Sequence, residues 1–518
     1  MAAQSGAMGT GLATLGRMAV LPDRRLPHVV TALGDSRVAA IYLDPAKLNR
    51  GTRSPLNWAN ALLGHRMTIA ETFGVSGDRT DQMLARLPAA IATGAGLLYV
   101  QGGINNLGAV ATGFTYVHAV TGEVVTIDTV AAVAMRDLRQ IADTARRTGM
   151  IVVLENEIGG SSLATVEKVA ALVTLRAMIA DYGAQTPGVH VHDAYPIVMQ
   201  PSAGTPLFRT GYAYDGTHCT GRGAYWHGKS LSLLLDRLLP LRSVLSRGAI
   251  DTPANGRRQL LANHLFVTAA GGSTPIFTVT ANTKSTTTLT VTSASTIPVG
   301  ASVSGAGVPA GTTVIAQPNG GGAGDYTLSQ AATATATGVT ITVALVGGPV
   351  PASWTAAMSA NAGTALLTTV VNADGVGSGV QAAIAFAAAG SFRLEQALAG
   401  TPGGAYHANL RPGDEVEAFA LVEIAGAPAI LSAVHLEISA ASAGSGGTGA
   451  TALDLFGPST ATDQGVNDAA LFTLRSRSIV LPTPTGTYPY LLAIIRVSAF
   501  AAGAATVIVR QAGVRRRT

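Results

Sequence analysis

Helical periodicity runs through the first half of the chain and stops at about Arg247, so the two halves cannot share one fold. Before that point, short apolar runs alternate with helical patterns. Val29 to Leu33, "MTIA" (Met67 to Ala70), "GLLYV" (Gly96 to Val100), "MIVVL" (Met150 to Leu154) and "VHV" (Val189 to Val191) read as five strands. Between them, "SPLNWANALLG" has Ser54 as N-cap, Pro55 at the first helical position and Gly64 as terminator. Thr129 to Arg147 places Val130, Val133, Ala134, Leu138, Ile141 and Ala145 at helical spacing, with Gly149 closing it, and Val166 to Ala180 reads as another helix. Short apolar strands separated by helices predict an α/β domain with a parallel sheet covered on both faces.

Beyond Arg247, Thr/Val alternation with Gly and Pro turns takes over. "TTLTVTSASTIPVG", "GTTVIAQPNGG", "DYTLSQ" and "GVTITVAL" read as short strands, and Lys284 and Asp325 are the only charges from Ile276 to Leu345. Leu410 to Ile424, Ala433 to Ser439, Pro489 to Phe500 and Ala505 to Arg515 read as stronger strands of a β-sandwich or jelly roll. The expected organisation is an arm over 1–26, an α/β domain over 27–247, and a linker or first sandwich segment over 248–275. A small Thr/Ala/Gly-rich β unit follows over 276–345, and the sandwich over 346–518. Leu260 to Pro275 and Gly347 to Ala356 read as two ends of one interrupted segment, which would make the Thr-rich unit an insertion.

Composition narrows the class. Charged residues are 12% of the chain, about half the usual ~25%, and the mean hydropathy is positive. Yet no unbroken apolar run approaches the ~20 residues of a membrane span, because Ala and Val are spread among Gly, Ser and Thr. A net charge of +5 with scattered arginines gives no nucleic-acid footprint, and Arg515-Arg516-Arg517 reads as a solvated tail end. One cysteine, Cys219, excludes an internal disulfide and a Cys-based metal site. The first twenty residues lack a basic segment followed by a compact apolar core, so no signal peptide is expected. An extracellular or virion-associated protein would then leave by another route, such as lysis; a non-viral one would be cytoplasmic.

The chemistry gathers at the expected strand ends. "VVTALGDSRVAA" carries Ser36 where the first strand ends, the position that faces the crevice of a parallel sheet. A hydroxyl is a poor nucleophile until a base takes its proton. In "YAYDGTHCTGRGAYWHGKSL", His218 follows Asp215 by three residues at the start of a predicted helix. That spacing lets the carboxylate fix one imidazole nitrogen and leaves the other for Ser36. "ETFGVSGDRTDQML" puts Gly77 in a turn whose N–H can point into the site, and "YVQGGINNLG" supplies the Asn105 amide as a donor to a developing oxyanion.

These four segments resemble, in order, the blocks of the SGNH (GDSL-type) hydrolases. "GDS" (Gly34, Asp35, Ser36) resembles the first, "GVSGD" with Gly77 the second, "GGINN" with Asn105 the third, and "DGTH" with Asp215 and His218 the last. The resemblance covers roughly Pro27 to Leu245. It implies a flavodoxin-like three-layer fold and ester hydrolysis without metal or cofactor. It also implies an oxyanion hole from the Ser36 N–H, the Gly77 N–H and the Asn105 side chain. One position departs: the third block usually ends Asn-Asp, whereas Asn106 stands here, which predicts a retuned hydrogen-bond network and puts full activity in question.

The remaining candidates receive plainer readings. His65, His118, His190, His192 and His227 show no metal-ligand spacing, and His190 and His192 have no third partner nearby in sequence. Glu155 and Glu157 either line the pocket or sit in a solvated loop. Cys219 reads as a packing residue, and "GSGGTGA" (Gly444 to Ala450) as a loop rather than a phosphate cradle. An esterase domain joined to β-domains low in charge resembles phage tail-associated and carbohydrate-active esterases. That points to an acylated polysaccharide as substrate, most simply O-acetylated, with Trp354, Tyr406, Tyr488 and Tyr490 as sugar-stacking faces or sandwich core. A homotrimer would suit a tail-fibre role. Two other readings stand beside it: a structural or receptor-binding virion protein with weak or no catalysis, and a lipase or thioesterase, which calls for a large apolar mouth.

Overall fold

The computed structural model describes residues 25–42, 49–200, 204–242, 259–318, 321–359, 362–398, 410–425, 430–441, 451–456, 470–476, 478–481 and 490–517. Tyr406, Tyr488, the side chain of Tyr490 and the Gly444 to Ala450 stretch lie outside these residues.

The N-terminal domain is built on five parallel strands: β1 (Val29–Gly34), β2 (Thr68–Gly74), β3 (Leu97–Gln101), β4 (Ile151–Glu155) and β5 (Val189–His192). Their order in the sheet is β2-β1-β3-β4-β5, the doubly wound flavodoxin-like order. β1 and β3 are buried almost throughout, which is why their sequences are unbroken apolar runs rather than alternating ones. α1 (Ser36–Ala39), α2 (Pro55–Leu62), α3 (Thr80–Ala92), α4 (Ile104–Gly108), α5 (Val130–Arg147), α6 (Val166–Gln185) and α7 (Gly221–Leu238) pack around the sheet, with a single helical turn at Tyr195–Val198. The Ser54 side chain caps α2 by accepting from Asn57 N, with Pro55 at the first position. α3 was not foreseen in sequence, where Pro88 interrupts its pattern. His218 lies before α7, whose N-cap is Thr220, rather than at a helix start.

Residues Ile276 to Ala344 form a separate six-stranded antiparallel sheet with its own apolar core. Two larger sheets form the sandwich. One holds Gly363–Val371, Ser378–Phe386, Gly503–Arg517, Glu415–Ala425 and Ala470–Arg475; the other holds Thr355–Met358, Gly390–Ala397, Tyr490–Ala499, Leu431–Ala441 and Thr451–Phe456. Gly271 bridges Pro351 and Ser273 bridges Thr355, so the segments flanking the Thr-rich sheet lie side by side.

The α/β domain and the sandwich share one core. Trp58 of α2 is fully buried and meets Tyr225 of α7 and Phe472 of the sandwich edge-on, at ring-centroid distances of 5.3 and 5.4 Å. Asn49–Arg50 adds a short parallel strand to the sandwich edge at Leu453 and Asp454. Trp354 is buried against Phe266, in keeping with the sandwich-core alternative of its sequence reading. The solvated-tail reading of the C-terminal arginines is corrected. Arg515 and Arg516 belong to the last strand and pair with Glu417 and Asp414, because antiparallel pairing puts them beside those acids; they are no solvated tail. Among the described residues, no helix is long and apolar enough to cross a membrane.

Candidate active site

Each site residue follows its own strand or loop onto the carboxyl edge of the sheet. β1 ends at Gly34, and α1 begins at Ser36, with Asp35 as its N-cap accepting from Arg37 N at 2.9 Å. The glycine is obligatory. A Cβ at Gly34 would stand 2.2 Å from Gln101 O and 2.4 Å from Val38 Cγ2. α1 can therefore turn tightly across the sheet, which leaves Ser36 half-buried at the floor of a cleft.

His218 Nε2 lies 2.7 Å from Ser36 Oγ, and His218 Nδ1 lies 2.6 Å from Asp215 Oδ2. Asp215 Oδ1 accepts from the backbone N–H of Thr217 at 3.0 Å and of His218 at 2.8 Å. Burial alone would raise the Asp215 carboxyl, but these N–H bonds and the imidazole outweigh it and hold it below the usual carboxylate value. An ionised Asp215 selects the ring tautomer with hydrogen on Nδ1, so Nε2 is left to accept from the serine hydroxyl.

The donors converge on the same cleft. Gly77 sits at φ +84 in the turn after β2, where an added Cβ would meet nothing within 4 Å, and its backbone lines the cleft. Asn105 opens towards the cleft from α4 and donates from Nδ2 to Asp78 O at 2.9 Å, which ties it to the Gly77 turn. Asp78 is in turn ion-paired with Arg86, whose Nη2 donates to Gly34 O at 3.0 Å. Asn106 is buried and turned away. Its Oδ1 accepts from Thr80 N at 3.0 Å, and its Nδ2 donates to Thr80 Oγ1 and Tyr116 Oη, both at 2.9 Å. It organises the start of α3 and touches no triad atom.

The cleft has a volume of about 580 Å³, and its wall includes Tyr42, Arg53, Ser76, Gln101 and Tyr214 beside the residues above. Tyr214 is 46% exposed; its ring stacks on His218, and the Arg53 guanidinium lies 3.9 Å from its centroid. Cys219 also lines the cleft, but burial pushes its thiol up to about 12, which suits a packing residue rather than a second nucleophile.

Sequence reasoning missed the buried charge layer beneath Ser36. Glu155 and Glu157 are almost fully buried, not in a solvated loop. Glu157 pairs with Arg37, and Glu155 Oε2 receives His192 Nδ1 at 2.9 Å and His227 Nε2 at 3.1 Å. His192 thus has partners that its strand neighbours gave no hint of. The candidate ligand atoms of Glu155, His192 and His227 lie within 4.8 Å of one another, a set that suits a metal in kind. The two nitrogen–oxygen distances are ordinary hydrogen bonds, and Tyr99 Oη completes the set by donating to Glu155 Oε1 at 3.0 Å. We read it as a hydrogen-bonded support of β3, β4, β5 and α7.

A doubly wound sheet with a serine, an imidazole and a carboxylate in hydrogen-bonded sequence at its carboxyl edge defines the class of serine hydrolases. More particularly, residues 32–225 match the GDSL-like Lipase/Acylhydrolase family, and the chain carries a domain of that family. No curated protein matches the chain. Among solved structures, a putative lipolytic protein of the G-D-S-L family from Desulfitobacterium hafniense is 14% identical, covering 40% of this chain and 99% of that one, with a TM-score of 0.30. A putative acylhydrolase from Bacteroides fragilis is 16% identical, covering 44% and 97%, with a TM-score of 0.28. An acetyl xylan esterase is 11% identical, covering 40% and 99%, with a TM-score of 0.28.

Proposed function

We propose that the protein is a serine esterase that removes O-acyl groups, most simply O-acetyl groups, from a polysaccharide. The observation that carries the ester chemistry is the 2.7 Å contact of Ser36 Oγ with His218 Nε2, backed by Asp215 at 2.6 Å. His218 takes the serine proton as Oγ attacks the ester carbonyl. The Ser36 N–H, the Gly77 N–H and the Asn105 amide receive the negative charge of the tetrahedral intermediate. His218 then gives its proton to the leaving sugar oxygen, and a water activated by the same ring releases the acyl group. Asp215 stays ionised throughout.

The character of the cleft supports a sugar ester. Ser76, Gln101, Asn105 and Arg53 line the cleft with polar groups of the kind that bind a sugar ester. A long acyl chain would call for a deep apolar mouth instead.

The test is release of acetate from a panel of O-acetylated bacterial polysaccharides by the full chain and by Ser36→Ala. Ser36-dependent release from at least one polysaccharide is expected. Ser36-dependent turnover of long-chain acyl esters with none from any acetylated glycan would overturn the substrate assignment.

A further inference from the structure

We propose that the buried Arg37–Glu157 ion pair positions the catalytic machinery by joining the nucleophile turn, the Asn105 helix and the His218 loop through one carboxylate. This rests on the hydrolase reading given above. Arg37 immediately follows Ser36, yet its side chain turns inward and is 6% exposed. Its Nη1 and Nη2 donate to Glu157 Oε1 and Oε2, both at 2.8 Å, while Nε and Nη2 reach Asp35 Oδ1 and Oδ2 at 3.2 and 2.8 Å. The guanidinium fork is thus held from both sides, which fixes the residue next to the nucleophile in one orientation.

Glu157 then reaches the other two parts of the site. Its Oε1 accepts from Gly159 N at 2.9 Å, and its Oε2 faces Gly103, the N-cap of α4, two residues before Asn105. A Cβ at Gly103 would stand 3.2 Å from Glu157 Oε2, so the turn into α4 is seated directly on the carboxylate. On the other side, the loop beyond Gly159 binds the histidine loop, where Ser161 N donates to Gly216 O at 2.9 Å. That contact is close-fitting, because a Cβ at Gly216 would fall 2.1 Å from Ser161 Oγ. Gly216 lies between Asp215 and His218. A displaced Glu157 therefore shifts the serine, the oxyanion donor and the base relative to one another, although it touches none of the reacting atoms.

Catalysis is steep in such displacements, since a misplacement of about 1 Å costs roughly 10²-fold. Glu157→Gln keeps the shape but turns one Arg37 or Gly159 contact from acceptor to donor. Arg37→Lys keeps the charge but loses the fork. Each is assayed as the full chain on an aryl acetate, with Ser36→Ala alongside, and with the rate of Ser36 labelling by an aryl phosphonate measured in the same preparations. The folded fraction is read by circular dichroism. The expected result, for whichever variant is folded at the assay temperature, is a kcat lowered about 10- to 100-fold with KM within about 3-fold, and a parallel loss in labelling rate. A purely structural pair would lower Tm and leave kcat and labelling per folded molecule unchanged. That outcome, or failure of both variants to fold, overturns the proposal. Hydrolysis by the wild-type chain that Ser36→Ala does not abolish would instead remove the hydrolase reading, and the proposal with it.

Discussion

Ser36 Oγ and His218 Nε2 stand 2.7 Å apart although 182 residues separate them in the chain. The contact exists because β1 ends against β2 and β3 at Gly34, and because the loop before α7 is bonded to the segment after β4, where Ser161 N donates to Gly216 O. Everything proposed for the chemistry depends on that meeting.

Asp215 should matter through the ring it orients. Asp215→Asn keeps an oxygen for the Thr217 and His218 N–H groups but presents an amide to His218 Nδ1, which favours the wrong tautomer. We expect kcat on an aryl acetate to fall about 10³- to 10⁴-fold with the fold intact by circular dichroism.

The two neighbouring asparagines should separate cleanly. Asn105→Ala removes the proposed oxyanion donor, and kcat should drop about 10²- to 10³-fold with KM little changed. Asn106→Asp restores the usual family residue at a position that faces α3 rather than the cleft. The Tyr116 hydroxyl, which burial pushes up to about 12, stays protonated and can donate to the new carboxylate. Steady-state kinetics should therefore show activity within about 3-fold, with any cost of roughly 1–3 kcal/mol appearing in Tm.

Acid should unfold this domain through its buried carboxylates. Burial opposes ionisation of Glu157 and Glu155, but Arg37 and the His192–His227 pair outweigh it and hold both below the ordinary carboxylate value. A depressed folded pKa contributes stability that is full above the unfolded value of about 4.3 and is lost as pH falls through it towards the folded value. Tm should fall as pH drops below about 5, and Glu157→Gln should flatten that fall. An unchanged slope in the variant would contradict the assignment of charge at Glu157.

Trp58 should carry the junction between the two halves. It is fully buried between Tyr225 and Phe472, and its Nε1 donates to Thr52 O at 2.7 Å. Trp58→Ala should cost about 3–5 kcal/mol and split a shared calorimetric transition into separate ones for the α/β half and the sandwich. A single undivided transition at an unchanged Tm would contradict a shared core.

The parts of this account that were legible in sequence are those carried by local pattern. Ser36, Gly77, Asn105 and the Asp215–His218 pair each follow a strand or occupy a turn, and the resemblance of their segments, in order, to the SGNH blocks marked them as one site. What stayed hidden depends on tertiary approach. Glu155, His192 and His227 come from two strands and a helix, and their spacing in the chain resembles nothing; only the packed sheet brings them together. Arg37 looked like one scattered arginine because its partner lies 120 residues away. Arg515 misled for the same reason, since cross-strand pairing is set by neighbours that a linear pattern does not show.

The central claim is tested most directly by hydrolysis of a short-chain aryl acetate by the purified chain and by Ser36→Ala. The account predicts turnover by the wild type and loss of at least about 10³-fold in the variant. Equal rates from the two proteins would contradict it.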